Sequence, residues 1–74
     1  MSLRDNFRHN IKRRRKELGL TQQDVADRMD VSRPLVAQAE AGQNAPTLDM
    51  VERFGRALDC PPLTLLVAQE PALV

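Results

Sequence analysis

Tryptophan and tyrosine are absent from these 74 residues, and Phe7 and Phe54 are the only aromatic side chains. A core must therefore be assembled from Leu, Val, Ile, Met and Ala, a set that suits packed helices better than strands, which favour aromatic and β-branched residues. Cysteine occurs once, at Cys60. No internal disulfide can form, no metal-ligand spacing surrounds Cys60, and zinc-finger chemistry is excluded. No apolar run approaches the length of a membrane span, and the N-terminus opens with charge instead of an apolar signal region. A soluble protein of the reducing cytoplasm, with no membrane partner, is expected. The single histidine, His9, has no Asp or Cys arrangement beside it suited to catalysis or metal binding, and Cys60 reads as a small hydrophobe. No catalytic residue, metal or cofactor is assigned, and an enzyme is not expected.

An excess of either charge is lacking too, since eleven basic residues face ten acidic ones. Their distribution is uneven: Arg4, Arg8, Lys12, Arg13, Arg14, Arg15 and Lys16 all precede Gly19. The run from Lys12 to Lys16 wraps the whole circumference of a helix, so a solvated face is its first reading. Arg13, Arg14 and Lys16 are the candidates within it for phosphate contact, with the Arg14 stem lying over the core edge. A chain this short buries only roughly 60% of its unfolded surface and is expected to lean on a partner.

The apolar pattern predicts five helices in one domain spanning residues 1–74. Leu3, Phe7, Ile11 and Leu18 form a stripe over 3–18 that stops at Gly19. Thr21 and Asp24 make a capping pattern ahead of Val25, Ala26 and Met29, giving a helix over 22–29. Ser32 is placed to cap a third helix, 33–40, with Leu35, Val36 and Ala39 inward and Pro34 in the first turn. After the loop 41–46, Thr47 caps a fourth over 47–58, whose Leu48, Val51, Phe54 and Leu58 share a face and whose Gly55 allows close approach. Pro62 favours a fifth helix over 62–68 rather than a strand, followed by a short flexible tail over about 70–74. Leu63, Leu65, Leu66 and Val67 are more apolar side chains than so small a terminal helix can bury, which points to a homodimer seam at Leu63, Leu66 and Val67.

Two short helices joined by three or four residues cross steeply and leave the outer face of the second one free, as in a helix-turn-helix. Such a helix fits the DNA major groove while its predecessor crosses the phosphate backbone. Several stretches also bear a family likeness: IKRRRKELGLTQ (Ile11 to Gln22), Val25-Ala26, VSRPLV (Val31 to Val36), Glu40-Ala41-Gly42, Pro46-Thr47-Leu48 and Ala57-Leu58. From about Ile11 to Leu66 the sequence resembles the phage-repressor and Cro-like helix-turn-helix family, also called the xenobiotic-response-element (XRE) family. The fold implied is an all-α, five-helix, lambda-repressor-like DNA-binding domain.

The resemblance places Arg33, Pro34, Ala37 and Gln38 at base-facing positions. It places Thr21, Gln22, Gln23, Ser32, Gln43 and Asn44 along the DNA backbone, with Gln22 also bracing the recognition helix. Arg15 and Glu40 match an internal ion pair. Three departures stand out: Asp30 where a glycine is common in the turn, Ala39 in place of a larger apolar residue, which leaves looser packing or a neighbour such as Phe54 to fill the space, and Pro34, which has no hydrogen-bonding side chain to offer a base. The function implied is a sequence-specific regulator of transcription, a repressor acting as a homodimer on a pseudo-palindromic operator in double-stranded DNA. Three alternatives stay open: an antitoxin-type module whose C-terminal segment binds a toxin, a restriction-system controller that touches RNA polymerase, and an interaction module that has lost DNA binding.

Overall fold

Four α-helices form where capping and apolar spacing coincide: α1 (Leu3–Glu17), α2 (Gln22–Met29), α3 (Arg33–Ala41) and α4 (Leu48–Ala57), followed by a 3-10 turn at Pro62–Leu65. The structure is a computed structural model and describes residues 2–68. The tail expected over 70–74 lies outside the described residues. Ser2 caps α1, Thr47 caps α4 through the Met50 N–H, and Thr21 and Asp24 close a full capping box on α2.

Ser32 departs from expectation, for its hydroxyl makes no cap bond although the residue has N-cap geometry. The cause is local. Pro34 has no N–H to offer, and the next one, on Leu35, is already bound to the Ser32 carbonyl at 3.1 Å.

Phe7 and Phe54 meet edge to face with ring centroids 5.5 Å apart, and around them Ile11, Val25, Val36, Leu58 and Leu65 are buried. Helix α3 packs on α1 and α2, while α4 packs on α2 and the 3-10 turn. A Cβ on Gly55 would lie 2.8 Å from Pro62 Cγ, so the close approach of α4 to that turn requires glycine there. Leu3 and Leu48, expected on the apolar stripes of their helices, are instead 65% and 78% exposed. Both sit in the first residue of their helices, where the stripe has run past its neighbours.

The predicted fifth helix, 62–68, is instead a four-residue 3-10 turn, neither α-helix nor strand. Its onward carbonyls are occupied. Asn10 Nδ2 donates to the carbonyls of Leu65 at 2.9 Å and Val67 at 2.8 Å, and Asn6 Nδ2 donates to that of Leu66 at 3.1 Å. Asn10 Nδ2 also donates to the Thr64 carbonyl at 3.4 Å, the one of these oxygens that an α-helix over 62–68 would bond to its own Ala68 N–H; the others are terminal carbonyls that such a helix leaves unpaired, and α1 takes them up. Asn6 and Asn10 are buried, and no motif in the sequence marks either of them. Replacing Asn10 with Ala is expected to destabilise the fold by about 1–3 kcal/mol, the cost of leaving buried carbonyls unpaired. Urea denaturation measures this, and faster amide exchange at Leu66 and Val67 would locate it. A loss below about 0.5 kcal/mol would mean that water replaces the amide freely.

Candidate nucleic-acid interface

Helix α2 ends at Asp30, which adopts the left-handed conformation at φ 57° and ψ 47°. Aspartate tolerates that region better than most side chains. Val31 then returns its N–H to the Ala26 carbonyl at 3.0 Å, and Ser32 starts α3. Only Asp30, Val31 and Ser32 separate the helices. Ala26 and Val36 are fully buried where α2 and α3 meet the core, and Val31 packs against it.

This turn leaves one side of α3 outward. Arg33, Pro34 and Gln38 are exposed and Ala37 is half-buried, at spacings of one, three and one that keep them on a single helical face. The buried end of α3 is fixed by charge. Arg15 Nε and Nη2 meet Glu40 Oε2 and Oε1 at 2.7 and 3.0 Å, a bidentate pair with side chains 12% and 5% exposed. Hydrogen bonding to Glu40 raises the Arg15 pKa above its usual value, against the opposing effect of burial. Arg15 Nη1 also donates to the Leu20 carbonyl at 2.9 Å, and Gln22 Nε2 to Glu40 Oε1 at 3.2 Å. One carboxylate on α3 thereby gathers α1 and the start of α2.

Around α3 the remaining candidates are disposed as follows. Thr21 commits its hydroxyl to the Asp24 N–H and its own N–H to Asp24 Oδ2. These Thr21 bonds hold the Asp24 carboxyl below the ordinary carboxylate range. Gln23 is exposed, with its amide tied back to Asp27 Oδ1 at 2.9 Å. Ser32, Gln43 and Asn44 are exposed. The loop bearing the last two starts at Gly42, at φ 74°, and is pinned by the Gln43 N–H on the Gln38 carbonyl.

Arg14, by contrast, is held against the end of α4. Its Nε and Nη2 bind the carbonyls of Leu58 at 3.0 Å and Asp59 at 3.2 Å, at the C-terminus of α4. Arg13 and Lys16 remain exposed. Two further guanidiniums carry no signal in the sequence: Arg28 Nη1 binds the Ala57 carbonyl, and Arg53 Nη2 binds that of Met29. Helices α2 and α4 thus cap each other's C-termini, where positive charge also suits the helix dipole. Leu63 and Val67 are 71% and 48% exposed, and Leu66 is half-buried against the core.

The helix-turn-helix family model matches residues 11–65, which hold both helices, the turn and the Glu40 anchor. The chain belongs to the helix-turn-helix family, the one its motifs resemble. An uncharacterised HTH-type transcriptional regulator of Methanothermobacter thermautotrophicus is 44% identical to it over 48 residues, 65% of this chain and 70% of that protein. The crystal structure of the hypothetical transcription factor NHTF from Neisseria superposes with a TM-score of 0.86 at 24% identity. That match covers 90% of this chain and 77% of the other, and at so low an identity it speaks for the fold. Among the described residues of this helix-turn-helix protein, no group of His, Cys, Asp or Glu side chains is arranged to hold a metal ion, and no helix is long and apolar enough to cross a membrane.

Proposed function

We propose that this helix-turn-helix protein is a sequence-specific regulator of transcription that represses by occupying a pseudo-palindromic operator in double-stranded DNA as a homodimer in the cytoplasm. The observation that supports it most is the division of α3: its inner side is locked through Val36 and Glu40, while Arg33, Pro34, Ala37 and Gln38 make one outward face. Arginine pairs with guanine O6 and N7, glutamine with adenine N6 and N7, and alanine packs on a thymine methyl. Pro34 adds shape without a hydrogen bond. Thr21, Gln22, Gln23, Ser32, Gln43 and Asn44 are the side chains proposed to line the sugar-phosphate chains. Leu63, Leu66 and Val67 supply the proposed seam between subunits, which would set two copies of α3 about 34–36 Å apart in successive major grooves.

Selection of bound duplexes from a random pool tests the reading. The expected product is a two-fold symmetric site with half-site centres about one helical turn apart, and its affinity falls steeply as salt rises. A pool with no enriched sequence would overturn the specific regulator, and an enriched single half-site would overturn the homodimer.

A further inference from the structure

Two concavities meet beneath the C-terminal half of α3. The inner one, about 220 Å³, is walled by Phe7, Leu35, Ala39 and Met50 together with the polar side chains of Gln38 and Asn44. Ala39 lines it with no more than a methyl group; Phe7 and Met50 border the gap, and Phe54 is not among its walls. The outer one, about 280 Å³, shares Phe7, Ala39, Asn44 and Pro46 with the first and adds Arg4 and Arg8. A single groove results, apolar at one end and basic at the other.

The basic end is open to an anion. Arg8 lies across Gly42, where a Cβ would stand 2.6 Å from its Cδ. Its Nε is engaged by Asp5 at 3.3 Å, whereas its two terminal nitrogens make no hydrogen bond among the described residues. Arg4 is exposed and forms no ion pair among the described residues. Two guanidiniums thus face the mouth against one carboxylate, that of Asp5.

We propose that this groove binds a small carboxylate with an apolar body, the body between Phe7, Leu35, Ala39 and Met50 and the carboxylate on Arg4 and the free nitrogens of Arg8. Apolar walls and a few placed polar groups are the usual make-up of a small-molecule site, and guanidinium is the group best suited to a carboxylate. Gln38 and Asn44 belong both to this groove and to the DNA face proposed above. Ligand and operator therefore draw on the same side chains, and each weakens the other's binding. That regulatory step rests on the function proposed above, whereas the binding site does not.

Methyl-detected NMR titration of the full chain with phenylacetate and with octanoate tests the site, with neutral phenylacetamide as the control. Saturable shifts at Leu35, Ala39 and Met50 are expected, with a Kd on the order of 1 mM or tighter. Arg4→Gln, at an exposed position, is expected to weaken the acids by about tenfold and leave the amide unchanged. Ala39→Leu, with its fold checked by thermal melting, is expected to abolish binding of all three. Failure of both acids to saturate, acid binding unaltered in Ala39→Leu, or an amide as tight as its acid would overturn the assignment. Adding each acid to the complex with a selected duplex then reads the coupling, expected as a several-fold rise in the Kd for DNA. An unchanged Kd overturns the coupling alone. A chain that binds the acids but no duplex overturns the proposed function and its regulation, and the carboxylate site stands.

Discussion

Replacing Arg15 with Ala is expected to remove about 3–5 kcal/mol of stability, because it strands the Glu40 carboxylate in the interior. The Glu40 side chain is 5% exposed and has two guanidinium bonds, at 2.7 and 3.0 Å, besides the single amide of Gln22. Removing both charged donors leaves one neutral one. Small domains have only about 5–15 kcal/mol in total, so the loss is a large share of it and the variant is expected to melt well below the wild type. Urea denaturation followed by circular dichroism measures the change. The paired variant Arg15→Met/Glu40→Leu separates charge from packing: removing both partners in favour of apolar groups of similar size is expected to recover most of the loss. A loss below about 1 kcal/mol in Arg15→Ala is what an exposed pair gives, and would mean that water reaches Glu40.

The second large effect concerns recognition. The variant Arg33→Ala/Gln38→Ala is expected to keep the wild-type melting temperature, since both side chains are exposed and make no bond to the rest of the fold through their side chains among the described residues. Discrimination between the selected site and its single-base variants is expected to fall by about 1–3 kcal/mol at each position these residues read, in both half-sites alike. The slope of log affinity against log salt is expected to drop by about one for each phosphate that is no longer neutralised, hence by little if Arg33 reads a base. A variant that weakens all duplexes equally, with a shallower slope, would move Arg33 from the base edge to the backbone. A variant indistinguishable from wild type on every duplex would remove the outward face of α3 from recognition altogether.

How far the sequence reveals this molecule depends on whether a signal is local. The Thr21–Asp24 capping box is written within four residues and appears where it is expected, whereas the left-handed turn at Asp30 is signalled only by the family resemblance, which commonly has a glycine there. The Arg15–Glu40 pair spans 25 positions and can be anticipated only through the family resemblance, because no spacing rule joins residues so far apart. Asn6 and Asn10 escape a reading by composition since asparagine normally faces water. The one available signal is their own four-residue spacing, directly beside the stripe residues Phe7 and Ile11, which puts both at the edge of the buried face. The misjudged fifth helix has the same origin. Propensity over 62–68 cannot register that amides from the other end of the chain take its carbonyls. Leu3 and Leu48 show the converse limit, as periodicity assigns a direction but cannot say where the neighbouring helix ends.

Among the described residues, most long-range polar ties run from a side chain to a backbone carbonyl: Asn10 to Leu65 and Val67, Arg14 to Leu58 and Asp59, Arg28 to Ala57, and Arg53 to Met29. A carbonyl is supplied by whatever residue occupies the position, so the accepting half of each tie is indifferent to mutation. None of these ties involves Arg33, Pro34, Ala37 or Gln38. Side chains on the outward face of α3 can accordingly be exchanged without touching any of the ties that hold the scaffold presenting it.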